Sequence, residues 1–206
     1  MRAVVAPERT AAQRTWQHTT ALVITEVLAP SVLMVVLFLA VGLAAAGFPR
    51  GLLWGLAGAF FASIGPTAII VIGVQRGRWS DRHLTVREHR RVPLIAAFVL
   101  VVLGLVLLVV LRAPREVIAT EAAMLAGLVV STPITRVWKI SFHTGVAAAV
   151  GLILALALGP ILMVTYPLLA AIGWARVQLR DHTVAQVLAG VPIGALSAGL
   201  TFVLVR

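Results

Sequence analysis

The sequence predicts an all-α protein, a polytopic bundle of six or seven transmembrane helices, and three observations carry that expectation. Of 206 residues, 61% are hydrophobic and only 12% charged, where a soluble domain carries roughly a quarter charged residues. Mean hydropathy is +1.05. The apolar residues also lie in long unbroken runs, such as 93–111, which holds no charge. At about 1.5 Å per residue that run covers roughly 28 Å, the thickness of a bilayer's hydrocarbon layer.

Seven spans follow from the pattern: 21–46, 52–74, 93–111, 117–134, 141–158, 161–175 and 183–205. Proline and glycine punctuate the short connections at Pro49, Pro114 and Gly159-Pro160, where a helix is hard to continue. The sixth span is short and contains Pro167, so a re-entrant hairpin with its neighbour is the alternative at that point. The first twenty residues are polar and basic and do not read as a removable signal peptide. The expected organisation is a basic segment, 1–20, followed by a single transmembrane domain, 21–206.

Threading seven spans places the N-terminus on one side of the membrane, called side X, together with the loops 75–92, 135–140 and 176–182. Side Y receives only Arg50, Arg112, Arg115 and Arg206, and every other Lys and Arg falls on side X. The positive-inside rule makes side X cytoplasmic. The expected location is therefore a plasma membrane, specifically a bacterial inner membrane, with the functional face toward the cytoplasm. The net charge of +10 has no basic soluble module to carry it, so a membrane surface and an anionic substrate fit it better than nucleic acid. The oligomeric state is not legible. Cysteine is absent, which removes disulfides and thiolate metal sites.

All five histidines (His18, His83, His89, His143 and His182) lie on or beside side X. A transporter scatters its polar groups near the midplane of the bilayer, often in internal repeats, and a prenyltransferase needs paired aspartates for magnesium diphosphate. Neither pattern is present. Ionisable groups gathered at one face suit an enzyme whose substrate has a lipid tail and a charged head. Of the acidic residues in or near the spans, Glu26 is within reach of side X, whereas Glu121 is expected near side Y, snorkelling to water. Trp79, Trp138 and Trp174 read as an interfacial aromatic belt, and Gly190, Gly194 and Ala195 as residues that permit close helix packing.

Three side-X segments hold the reactive side chains: 79–93, 138–145 and 174–186. Arginine suits phosphate because its planar fork donates two hydrogen bonds and stays charged, and histidine can attack phosphorus or pass a proton near neutral pH. These segments resemble the type 2 phosphatidic acid phosphatase family, whose motifs are Lys-x6-Arg-Pro, Pro-Ser-Gly-His and Ser-Arg-x5-His-x3-Asp. Ser141-Phe142-His143 matches the Ser-x-His core of the second motif, with Ile140 and Phe142 in place of proline and glycine. Arg176 and His182 match the arginine and nucleophilic histidine of the third, with Ala175 and Gln186 in place of serine and aspartate. In the first, His83 and Arg90 have the right separation, but the lysine is missing and Pro93 comes late. The resemblance covers roughly 79–194.

The resemblance implies a lipid phosphatase working through a phosphohistidine. His182 would be the nucleophile, His143 would protonate the leaving alcohol, and Arg176, Lys139, Arg87, Arg90 and Arg91 would hold the phosphate oxygens. Ser141 would donate from its hydroxyl, and Gln186 would orient the nucleophilic imidazole without the negative charge an aspartate brings. Asp181 and Glu26 are the alternative sources of a carboxylate. No cofactor is expected, since side X offers only dispersed acids (Asp81, Glu88, Asp181) and several guanidiniums can neutralise a phosphoryl group without a metal. The substrate class is a polyprenyl phosphate, phosphatidic acid or related lipid phosphate. The competing reading is a non-catalytic headgroup binder or assembly partner that retains a degraded site.

Overall fold

The computed structural model describes residues 11–78 and 91–206, and the side chains of 15–78 and 92–206. Among these residues every regular element is helical. Helices α1 (Ala11–Val27) and α2 (Pro30–Ala46) are followed by α3 (Arg50–Ala59), which passes through a π-helical turn, Phe60–Ile64, into α4 (Gly65–Gln75). Then come α5 (Arg91–Val110), α6 (Arg115–Val137) and α7 (Phe142–Leu158). A 3₁₀ segment, Pro160–Thr165, leads into α8 (Tyr166–Gln178), and α9 (Val184–Val205) closes the chain. Six stretches are long and apolar enough to cross a bilayer, and Phe142–Leu158 is a shorter apolar helix among them. The protein is an integral membrane helical bundle.

The expected spans map onto these elements, with one instructive difference. The run 21–46 is not one helix. It breaks before Pro30, where Ala29 is extended at φ −60°, ψ 147°, because the proline ring excludes the helical conformation from the residue before it. Residues 11–20, expected in the basic segment, therefore join 21–27 in α1, which packs against α8. Ala21 and Thr25 are buried, while Trp16, Val23 and Val27 face outward. The 17 residues of α2 span roughly 25 Å, sufficient for the hydrocarbon layer alone. In the sixth span, Pro167 falls in the first turn of α8, where its missing N–H has no intrahelical partner to lose. Pro66 accounts for the π turn before it, since its ring and absent N–H leave the carbonyl of Ala62 in need of room.

In lipid there is no hydrophobic force holding apolar helices together, so close packing has to do so. The central contacts are α7 with α9, α9 with α6, and α2 with both α3 and α7. Where α7 meets α9 the backbones nearly touch. A Cβ at Gly190 would lie 2.6 Å from the Ser141 carbonyl oxygen, and one at Gly194 would overlap the backbone of Gly145. Gly190, Gly194 and Ala198, all buried, form a stripe of small residues at four-residue spacing along α9. The opposite faces are apolar too: Leu103, Val106 and Val110 of α5 and Leu188, Leu196 and Leu200 of α9 are exposed, a surface that only a bilayer solvates well.

Glu121 departs from its expected place. It is 0% exposed, turned inward toward α5, with its Oε1 only 2.8 Å from where a Cβ on Gly104 would stand. The face of α6 that carries it also carries Val117 and Met124 into the bundle, so the helical register sends this carboxyl into the core and away from water.

The α7–α9 contact gives a direct stability prediction. Gly194→Val should separate the two helices and destabilise the protein by about 1–3 kcal/mol or more, read as a lower Tm in detergent. Gly127→Ala is the control, because a Cβ at Gly127 meets nothing within 4 Å. Equal melting temperatures for the two variants would contradict the packing described.

Candidate functional site

The site forms where the side-X ends of α7, α8 and α9 meet. Helix α7 opens with Ser141 as its N-cap, whose Oγ accepts the Thr144 N–H at 3.4 Å. The Thr144 hydroxyl lies 3.2 Å from the Ser141 carbonyl oxygen and 3.0 Å from that of Val187, either of which can accept its proton. The Ser141 N–H in turn donates to the Gln186 carbonyl at 3.2 Å. The first turn of α7 is thereby sewn to the first turn of α9, and the absence of a side chain at Gly190 allows it. His143, in the first turn of α7, is 6% exposed.

Helix α8 ends in a Schellman motif. Arg180 takes a left-handed conformation, φ 59°, its N–H donates to the Val177 carbonyl at 3.0 Å, and the Asp181 N–H donates to the Arg176 carbonyl at 3.1 Å. A non-glycine residue in this conformation costs roughly 1–2 kcal/mol. The reversal brings the Asp181 carboxylate onto the Arg176 guanidinium, Nη2 to Oδ2 at 2.9 Å, with the arginine side chain only 3% exposed. It also delivers His182, 7% exposed, to the entrance of α9.

A reciprocal capping box starts α9. The Gln186 N–H donates to Thr183 Oγ1 at 3.3 Å and the Thr183 N–H donates to Gln186 Oε1 at 3.1 Å. The second bond fixes which end of the amide is oxygen, since a backbone N–H needs an acceptor. That same oxygen lies 3.3 Å from His182 Nδ1. An amide oxygen only accepts, so Nδ1 carries the proton of the neutral imidazole and Nε2 keeps its lone pair. Gln186 thus holds one ring nitrogen of His182 in the protonated tautomer but brings no charge.

The electrostatics favour an anion here. The N-termini of α7 and α9 both open on this end of the bundle, presenting partial positive charge. Arg176 adds a guanidinium and Lys139, half-buried just before the cap of α7, adds an ammonium.

No protein-family model, curated protein or solved structure matches the chain.

The fold therefore brings together Ser141, His143, Arg176, His182 and Gln186. Arg87 and Arg90, like His83, lie outside the described residues, and Arg91 is described only as the first residue of α5. Of the two carboxylates weighed as substitutes for an aspartate on the imidazole, Asp181 is engaged with Arg176 and Glu26 is exposed on α1. Trp138 and Trp174 are 43% and 39% exposed, as residues of an interfacial belt are. Among the described residues, no three His, Asp or Glu side chains gather in a group able to hold a metal ion. The sequence reading passed over Thr144 and Thr183. Thr183-x-x-Gln186 is a capping-box signature immediately before an apolar run and was open to detection.

The tautomer is measurable. With ¹⁵N-labelled histidine, His182 should show a protonated Nδ1 and an unprotonated Nε2 in its neutral form, and Gln186→Leu should mix the two tautomers. A protonated Nε2 in the unmodified protein would refute the assignment.

Proposed function

We propose that this protein is a membrane lipid phosphatase, hydrolysing a phosphomonoester or diphosphate of a lipid through a phosphohistidine on His182, at the cytoplasmic face. The observation that carries the reading is the buried imidazole of His182, with Nδ1 against Gln186 Oε1 at 3.3 Å, beside a buried Arg176 and two helix N-termini. Its Nε2 is then the nucleophilic atom. In the first step Nε2 forms a bond to phosphorus, the ester P–O bond breaks, and His143 gives the leaving alkoxide a proton. In the second, water attacks the phosphohistidine, His143 takes back a proton, and inorganic phosphate and His182 are regenerated. Arg176, Lys139 and the backbone N–H groups at the helix starts neutralise the equatorial oxygens, where charge stabilisation contributes most to phosphoryl transfer. The resemblance to the type 2 phosphatidic acid phosphatase family, in order and spacing of Ser141, His143, Arg176 and His182, supports the same reading. The bias of Lys and Arg toward side X supports the cytoplasmic orientation.

One observation favours a second reading, a headgroup-binding protein without catalysis. Asp181 already neutralises part of the charge of Arg176, and Gln186 adds none to the imidazole. The two readings part on one assay, phosphate release from alkyl, polyprenyl and diacyl lipid phosphates with chelator present. The expected result is release that disappears in His182→Ala and falls by about 10²–10⁴ in His143→Ala, the range for losing a general acid. Gln186→Asp should raise the rate. No release from any of these lipids, together with binding that survives loss of both histidines, would establish the second reading instead.

A further inference from the structure

Beneath the site the helices leave between them a partly open apolar cavity of about 210 Å³. Ser141 and Phe142 line its side-X end, and Met124, Gly127, Ala149 and Ala198 are among the residues that line it further in. Ala198 stands fourteen residues along α9 from Val184, roughly 20 Å below the site at about 1.5 Å per residue. Of the candidate-site residues Ser141 lines the cavity, which extends from there between the helices toward Ala198.

We propose that this cavity takes the first part of the substrate's hydrocarbon tail, and that the preferred substrate is a phosphate ester of a single chain, alkyl or polyprenyl. The inference rests on the lipid-phosphatase reading for its headgroup and on the cavity for its tail. An apolar cavity of about 150 Å³ accepts a benzene ring, so on that scale this one holds roughly eight carbons of one chain. It cannot hold both chains of a diacyl lipid. Apolar walls leave a polyprenyl or alkyl segment nothing to hydrogen-bond and nothing left unsatisfied. Phe142, in the position where the family's motif has glycine, becomes part of the wall where headgroup and tail meet.

Gly127 makes the cavity testable. It lines the space, and a Cβ there meets nothing within 4 Å, so a large side chain enters the cavity without striking packed backbone, and a helix-interior glycine is itself replaceable without loss of helix propensity. The experiment uses dodecyl phosphate carrying a diazirine in the middle of its chain, photolysed with the full-length protein in detergent and in bilayer discs, with labelled positions mapped by mass spectrometry. Labelling is expected at the cavity lining on α6, α7 and α9, at least tenfold weaker in Gly127→Phe, while release of phosphate from butyl phosphate, too short to reach Gly127, is unchanged. Met124→Trp serves as the second obstruction should Gly127→Phe fail to keep the wild-type Tm. Dioleoyl phosphatidate should compete for the label at least tenfold less well than unlabelled dodecyl phosphate. Labelling confined to outward positions such as Leu103 or Leu196, labelling indifferent to both obstructions, or equal competition by the diacyl lipid overturns the inference. Cavity labelling in a protein that releases no phosphate from any ester leaves the tail site standing and removes the phosphatase reading, so the two fail separately.

Discussion

The near-contact of the α7 and α9 backbones is the constraint on which the rest of the molecule depends. A bilayer supplies no hydrophobic drive between helices, so the pair has to be held by dispersion at short range and by polar bonds at its ends. Glycine at 145, 190 and 194 lets the backbones meet. Once they do, the Ser141 N–H reaches the Gln186 carbonyl and the Thr144 hydroxyl comes within 3.0 Å of the Val187 carbonyl. The first of these bonds satisfies the Ser141 N–H, which stands at the start of α7 without an intrahelical acceptor. The two bonds also set His143, in the first turn of α7, at the same end of the bundle as His182, which stands just before the Thr183 cap of α9.

Every part of the proposed chemistry inherits its geometry from that junction. Gln186 belongs to the capping box of α9, so the amide oxygen beside the imidazole is itself held by the Thr183 backbone N–H and is not on a loose side chain. The Schellman turn after α8 places Asp181 on Arg176 and His182 beside it, at the cost of a strained Arg180. An aspartate at 186 would also cap the helix and would add charge to the imidazole. Glutamine keeps the orientation and forgoes the charge, and with Asp181 committed to Arg176 the site has a less negative nucleophile environment than the family it resembles. For the proposed phosphatase a slower reaction is the expected consequence, and the apolar cavity at Ser141 would give binding energy from the tail a place to compensate.

Much of the fold was legible because the apolar runs are long and the breakers few. Run length marked the six long apolar stretches and the shorter helix Phe142–Leu158, and Gly159-Pro160 and Pro114 marked their connections correctly. The break at Ala29 was also written in the chain, in Pro30, but the surrounding apolar residues hid it, since the apolar end of α1, 21–27, runs directly into α2. Glu121 was expected to snorkel to water and is buried instead, because whether an acid near a helix end faces water or the core depends on the register of α6 against α5. At the site, the motif resemblance could name Arg176, His182 and Gln186 together because one loop and one helical turn connect them. The tie between Ser141 and Gln186, which joins that group to His143, is a contact between elements remote in sequence and leaves no local signature. The cavity is likewise a product of how six helices fail to fill the space between them.

The most direct measurement is to trap the intermediate. Protein mixed with ³²P-labelled dodecyl phosphate and quenched in alkali should carry acid-labile phosphate on His182, attached at Nε2, because Gln186 holds the proton on Nδ1. Phosphate at Nδ1, phosphate on another residue, or turnover with no phosphoprotein at any time would contradict the account.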